Sequence, residues 1–372
     1  MKIIIIGAGT SGLTSAINLK RLYKNADILI IEHLDKPFKK VLATGNGKCN
    51  IGNSNINFEL FNNPSFVEKI LTSNYLNDEI NFLDSIFIKT KNINELIYPV
   101  TESAQTVHNC YLREIEKLTI KIHLKESLLN YKIENNRIIV KTNLCTYEAD
   151  KLIITCGGKS SPKLGSDGSI FPLLKSHGYE ISDINPGLCP IVTKEKHKAL
   201  DGLRIKGIVN LFKNNKLIHI ENGEILFKKD GLSGIVIMNI SSIISRDLNA
   251  KYVIKINSLP TYGIKELETF LNKNGKDTFL NTFSHPLLKD YIYKNNLDPI
   301  KTLTNMTFNF DRLYDYEFSQ VSVGGISLNN INDDLSSKIE NNVSFAGEIL
   351  NIDGPCGGYN LTWAIISALR IK

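Results

Sequence analysis

The chain of 372 residues has little that would tie it to a membrane, a metal ion or an oxidising compartment. Its uncharged apolar runs fall far short of the roughly 20 residues that a spanning helix needs. Its six cysteines form no C-x-x-C pair and no zinc-ligand spacing, so no metal is expected and the thiols are expected to be reduced. No charged n-region followed by an apolar h-region opens the chain. The first apolar strand begins at residue 2 and is needed by the fold, so the expected location is cytoplasmic. Internal repeats and long linkers are also missing. The net charge of +6 is spread along the chain. Without a basic stripe, nucleic acid is not an expected partner, and nothing marks an oligomeric state.

What is present is an ordinary globular composition, 42% hydrophobic and 22% charged, in a chain long enough for two or three domains. Its most informative feature comes first. The run Lys2-Ile3-Ile4-Ile5-Ile6 ends at Gly7, and Gly9 and Gly12 complete G-x-G-x-x-G, with Thr10 and Ser11 between them. An amphipathic stretch follows, carrying Leu13, Ala16, Ile17 and Leu22 on one side. A second apolar run, Ile28-Leu29-Ile30-Ile31, ends at Glu32, 20 residues after Gly12. This is a βαβ unit with a dinucleotide fingerprint. Its glycines allow a pyrophosphate to approach the helix N-terminus, and the acid suits a ribose hydroxyl.

Three further glycine-rich segments lie at 45–52, 157–168 and 347–358. Those at 157 and 347 end strand-like runs, Leu152-Ile153-Ile154-Thr155 and Val343-Ser344-Phe345-Ala346. Ligands of open α/β sheets bind at such strand ends. Gly157-Gly158 permits close approach by a ligand or by another backbone. Gly347-Glu348 ends a strand in an acid. Gly357-Gly358-Tyr359-Asn360 feeds a C-terminal helix whose positive end suits a group that carries or develops negative charge. Asn135-Asn136 reads as a hairpin turn. Short strands are expected at Lys216–Ile220 and Glu224–Phe227, and a final helix at Leu361–Leu369. A second nicotinamide-type fingerprint is lacking.

The segments Ala43-Thr44-Gly45-Asn46-Gly47-Lys48-Cys49-Asn50, Gly223-Glu224-Ile225-Leu226-Phe227 with Gly231-Leu232-Ser233-Gly234, and Gly347-Glu348 through Gly357-Gly358-Tyr359-Asn360-Leu361 resemble one family. It is the BaiN/YhiN-like flavoproteins, also called aminoacetone oxidase family FAD-binding enzymes, and the resemblance runs the length of the chain. It implies an α/β fold: a Rossmann-like FAD-binding domain interrupted by an inserted β-barrel-like domain with a small helical subdomain. The expected divisions are 1–187 and 320–372 for the FAD domain and 188–319 for the insertion, with its helices at about 258–305.

The resemblance also implies non-covalent FAD, held by Gly7, Gly9, Thr10, Ser11, Gly12 and Glu32 at the adenosine and pyrophosphate end. Gly45, Asn46, Gly47, Lys48, Cys49 and Asn50 would border the flavin. Gly157, Gly158, Gly347 and Glu348 would lie along the middle, and Gly357, Gly358, Tyr359 and Asn360 at the pyrimidine end. Lys48 stands where the family more often has Arg, keeping the charge without the planar fork. Lys48, as a cation near the ring, and Tyr359, as a proton donor, are the catalytic candidates. Cys49 reads as a packing residue, because no resolving thiol is near. The expected activity is an FAD-dependent oxidoreductase moving a hydride between flavin and a small organic substrate, with NADH or NADPH as a transient electron donor. The alternatives are a flavin-dependent RNA-modifying enzyme and a non-catalytic flavin-binding protein.

Overall fold

The computed structural model describes all residues, Met1–Lys372, and the chain divides into two compact units. The first comprises Met1–Asn185 with Val321–Lys372, and the second Pro186–Gln320.

The first unit is built on five parallel strands: β1 (Lys2–Ile6), β2 (Asp27–Ile31), β3 (Lys121–His123), β4 (Lys151–Ile154) and β5 (Val343–Phe345). Their spatial order is β5-β4-β1-β2-β3. The register pairs Ile4 with Leu152 on one side and with Leu29 on the other. The central β1 buries all four of its isoleucines, as a parallel strand covered on both faces must. The order has a direct consequence for function. The glycine turns after β1, β4 and β5 emerge side by side from one edge of the sheet.

Four helices matter to the site: α1 (Thr10–Leu22), α2 (Lys39–Leu42), α3 (Tyr75–Ser85) and α4 (Tyr359–Arg370). The last starts two residues before the expected helix and packs along α1, where the Asn18 amide donates to the Leu369 carbonyl at 3.1 Å. A small antiparallel sheet carries Gly52–Asn53 against Leu96–Pro99. A three-stranded meander turns at Asn135-Asn136, both left-handed (φ 51° and 62°), between paired Glu134 and Arg137. That is the primed hairpin geometry that Asn tolerates.

The second unit is a closed six-stranded barrel with its own hydrophobic core, including Val209, Leu211, Ile225, Phe227, Ile254 and Phe308. Helices follow at Ile235–Ser245, Ile264–Phe283, Pro286–Lys294 and Pro299–Thr304. The two short strands expected between 216 and 227 are one strand, Lys216–Lys228. In the fold, Gly223 lies within that strand and pairs with Gly207 on the neighbouring strand. A Cβ on Gly207 would lie 2.4 Å from the Asn257 carbonyl oxygen, so these glycines serve close strand packing rather than chain reversal.

Candidate functional site

The fingerprint turn is shaped by contacts that only glycine permits. Gly7 is left-handed (φ 99°), and a Cβ on Gly12 would sit 1.9 Å from the Gly7 carbonyl oxygen. Thr155, just after β4, clamps the turn by donating its hydroxyl to the Ile6 carbonyl at 2.9 Å. Gly9 differs. No atom lies within 4 Å of where its Cβ would be, and it caps α1 without a side-chain hydrogen bond. The turn therefore presents an open cradle at a helix N-terminus, the arrangement that accepts a phosphate group. Glu32 stands beside it, 7% exposed. Its Oε2 accepts from the Ala8 N–H at 2.8 Å and its Oε1 from the Leu34 N–H at 2.9 Å. Both oxygens are fixed, and each keeps an acceptor direction for a ribose hydroxyl.

Gly347 joins this cradle from the other end of the chain. A Cβ there would lie 2.1 Å from Ser11 Oγ on α1. The turn is held from behind by α4: Trp363 Nε1 donates to the Gly347 carbonyl at 3.1 Å, and the Gly347 N–H donates to Ser367 Oγ at 3.0 Å. Glu348 follows, and its Oε2 lies 2.8 Å from Lys40 Nζ on α2. Its Oε1 accepts from the Ser160 hydroxyl at 2.9 Å and from the Ser322 N–H at 2.8 Å. Gly157 and Gly158 are needed because protein atoms crowd them. A Cβ on Gly158 would meet Ser322 Oγ at 2.5 Å, and one on Gly157 would meet Ser166 Oγ at 2.8 Å.

The 45–50 loop is a run of left-handed residues: Gly45 (φ 56°), Asn46 (φ 54°), Gly47 (φ 84°) and Cys49 (φ 57°). Its tip, Gly45 through Lys48, is exposed, whereas Cys49 is fully buried. Burial pushes the Cys49 thiol up to about 11, which suits a packing residue and not a nucleophile. Asn50 ties the loop to the C-terminal glycine turn. With its amide oriented as the surrounding groups require, it donates to the Gly52 carbonyl at 2.8 Å and accepts from the Gly358 N–H at 3.1 Å. Asn53 Nδ2 donates to the Gly357 carbonyl at 2.9 Å. Asn360 closes its own turn, bonding both the N–H and the carbonyl of Gly354.

The two catalytic candidates are placed very differently. Lys48 is 60% exposed and its Nζ pairs with Glu102 at 2.9 Å. Glu102 also binds Lys91, and the two ammonium groups hold its carboxyl down to about 2. Tyr359 is buried at the start of α4. Its hydroxyl oxygen accepts the Asn57 N–H at 3.2 Å, which leaves its own proton to be donated elsewhere.

Sequence reasoning passed over Lys40, Ser322 and Glu79. In sequence Lys40 is one of several lysines around Pro37, and Ser322 belongs to no motif. Glu79 on α3 is fully buried beneath Gly52, with Thr362 of α4 donating to its Oε2 at 3.0 Å. Burial pushes this carboxyl up to about 8. A buried acid on an amphipathic helix leaves no signal in sequence that separates it from an exposed one.

A Rossmann sheet with an open cradle at a helix N-terminus, a fixed acid after the second strand and three aligned glycine turns is a dinucleotide-binding architecture; its likeness to known proteins makes this a Rossmann-type flavoprotein oxidoreductase with an FAD-type cofactor. The chain belongs to the family described as HI0933-like protein Rossmann domain, which matches residues 1–371. It is 27% identical to the 3-dehydro-bile acid delta(4,6)-reductase of Clostridium scindens, over 98% of this chain and 96% of that protein. It is 26% identical to the ribosomal RNA dihydrouridine synthase of Escherichia coli, over 98% of this chain and 95% of that one. Among solved structures, an E. coli quinol fumarate reductase has the same fold at 13% identity. Its TM-score is 0.52, and the match covers 100% of this chain and 69% of that one. No helix is long and apolar enough to cross a membrane.

Proposed function

We propose that the protein is an FAD-dependent oxidoreductase that transfers a hydride between flavin and an organic substrate bearing a carbon–carbon double bond next to a carbonyl. The observation that carries the cofactor is the open cradle at Gly9 with Glu32 fixed beside it. The substrate class rests on the curated relatives. A delta(4,6)-reductase of a 3-dehydro-bile acid and a dihydrouridine synthase both name the saturation of such an activated double bond.

When bound, FAD supplies the two-electron chemistry, so the protein need only place the groups and tune their charge. Gly7, Gly9, Thr10, Ser11 and Gly12 hold the pyrophosphate, and Glu32 the adenosine ribose. Gly347 and Glu348, beside Gly157 and Gly158, meet the middle of the cofactor. Gly45 through Asn50 and Gly357 through Asn360 border the ring. Saturating the double bond takes a hydride and a proton, with NADH or NADPH as the reductant. Tyr359 is the candidate proton donor, because its hydroxyl is oriented by the Asn57 N–H while its proton is uncommitted. Lys48 contributes charge from the surface, damped by Glu102.

A small enone is the first reading of the substrate. A uridine in ribosomal RNA is the second, favoured by two curated relatives of that name, 26% and 25% identical to this chain. The test is anaerobic. Holoprotein reduced with NADPH or NADH is mixed with a 3-keto-4-ene steroid or with ribosomal RNA free of dihydrouridine, and flavin reoxidation is followed. Reoxidation by the steroid supports the first reading and by the RNA the second. Reoxidation by neither, or a protein that binds no FAD, would reject the proposal.

A further inference from the structure

The barrel is apolar on part of its outside as well as in its core. In an antiparallel barrel one side of each strand fills the interior, and the outward positions are ordinarily polar. Val209 and Leu211 are fully buried in the core, which turns Ile208, Asn210 and Phe212 outward on the strand Arg204–Lys213. The register extends this outer face to both neighbouring strands. On one side Ile220 stands opposite Asn210 and Leu217 opposite Phe212, with Ile218 unpaired at the register shift between them. On the other side Val253 stands opposite Phe212. Leu217, Ile218 and Ile220 are 42%, 39% and 56% exposed. A contiguous exposed apolar patch of this kind marks an interaction site.

The rim of the patch is cationic. Lys213 and Lys216 face each other at the end of the hairpin. Lys251 lies beside the hairpin turn, where its N–H donates to Asn214 Oδ1 at 3.1 Å. Lys255 reaches over the Phe212 ring, its Nζ 4.9 Å from the ring centre. Asp247 pairs with Lys213 at 2.8 Å. From Arg204 to Asn257 the chain carries nine basic residues against four acidic ones. Apolar side chains in water and like charges set opposite each other both cost stability. A partner that is apolar inside and negatively charged at its surface relieves both costs. An anionic lipid bilayer has that layering: aliphatic side chains enter below the headgroups, and lysines meet the phosphates. A second copy of this chain, docked face to face, would set lysines against lysines. Single-stranded RNA would engage the lysines but stack on none of the aliphatic side chains.

We propose that the outer face of the strands Arg204–Lys213, Lys216–Lys228 and Tyr252–Asn257 docks the protein on anionic lipid surfaces. Leu217, Ile218 and Ile220 enter the interface, and Lys216, Lys251 and Lys255 meet the headgroups. Docking here needs no bound cofactor and no membrane-spanning segment.

The experiment uses the full-length holoprotein and two kinds of vesicle, phosphatidylcholine alone and an equimolar mixture with phosphatidylglycerol. Co-sedimentation at low salt should show roughly tenfold or more tighter binding to the mixed vesicles, weakened as salt is raised. Leu217→Ser/Ile220→Ser should lower that binding by roughly tenfold or more while leaving thermal unfolding near that of wild type, because both side chains are exposed in the protein. Lys216→Glu/Lys251→Glu should remove the preference for the mixed vesicles. Ile220→Trp gives a second readout. The chain has one tryptophan, Trp363, which is buried, so a blue shift of the added indole on vesicle addition reports insertion of this face. No binding to either vesicle, equal binding to both, or full binding by Leu217→Ser/Ile220→Ser would overturn the docking surface. So would dimerisation abolished by Leu217→Ser/Ile220→Ser, or RNA binding lost only in Lys216→Glu/Lys251→Glu, in a protein that leaves vesicles alone. The first would assign the face to a second copy, and the second to nucleic acid.

Discussion

The two units differ in the polar groups they bury: both bury hydroxyls, and only the first buries carboxylates. In the first, Glu32, Glu79, Glu114, Glu126 and Asp353 all lie in the interior. In the second, the buried polar side chains are the hydroxyls of Thr193, Ser233, Ser241, Ser242, Ser245 and Ser319, and no carboxylate is among them. Surface charge runs the other way. Pro186–Gln320 carries 19 Lys and Arg against 14 Asp and Glu, whereas the rest of the chain has 25 against 24. The second unit thus holds nearly all of the net positive charge, and holds it on its surface. Burying a carboxylate is costly unless it is hydrogen-bonded or neutralised. A unit that does so repeatedly spends stability on placing charge, which is what a cofactor site requires. The barrel buries only apolar side chains and hydroxyls, as a scaffold does.

Matched glycine substitutions give the largest test of that contrast. Gly12 and Gly231 are equally crowded, each with a backbone oxygen 1.9 Å from a built Cβ, that of Gly7 and of Ile191 respectively. Both Gly12→Ala and Gly231→Ala should destabilise by about 3 kcal/mol or more, as overpacking against backbone does. Only Gly12→Ala should abolish FAD binding. Thermal unfolding and an FAD titration on both variants check this, and equal loss of FAD in the two would erase the distinction between the units.

Next in size is Glu32→Ala. It removes a carboxylate held by two backbone N–H groups and should weaken FAD by roughly 1.5–3 kcal/mol, measured by calorimetry. An unchanged affinity would mean that the ribose has another partner.

The units should also answer pH in opposite directions. Glu79 in the first has its carboxyl raised by burial from 4.5 to about 8. Its contribution to stability is full below the unfolded value and is lost as pH rises from about 4.5 to 8. His197 in the second packs edge-on against Phe308, and burial lowers its imidazole below the usual 6.5. Its contribution is present above 6.5 and is lost as pH falls below it. Glu79→Gln should therefore remove the loss on the alkaline side. His197→Phe should flatten the acid side. Hydrogen exchange resolved by segment at pH 5.5 and pH 8 reads the two separately. A Glu79→Gln protein that keeps the wild-type slope between pH 5 and 8 would show that this carboxyl does not carry it.

The smallest effect is expected at Lys48. Its ammonium is exposed, and Glu102 keeps Lys91 as a partner when it is gone. Lys48→Met should leave both stability and FAD affinity near those of wild type. A tenfold loss of FAD in that variant would place Lys48 at the cofactor despite its surface pair with Glu102.

Local chemistry written in the sequence determined much of this protein. The isoleucine run, the spaced glycines and the acid after the second run specify a strand, a turn and a helix through neighbours a few residues apart. Asn135-Asn136 specifies a hairpin because Asn tolerates left-handed backbone. The segments at 43–50, 223–234 and 347–361, in that order, carried the family resemblance. What the sequence left undecided was whatever joins residues far apart in the chain. The strands expected at Lys216–Ile220 and Glu224–Phe227 are one strand, because Gly223 between them pairs with Gly207. Lys40 meets Glu348 and Ser160 only because the sheet order sets the turn after β5 beside the turn after β4. Glu79 became a buried titrating acid only because Gly52 and Thr362 close over it. A side chain's charge is read from its type, but its surroundings come from packing, and the surroundings decide whether that charge is solvated, paired or put to use.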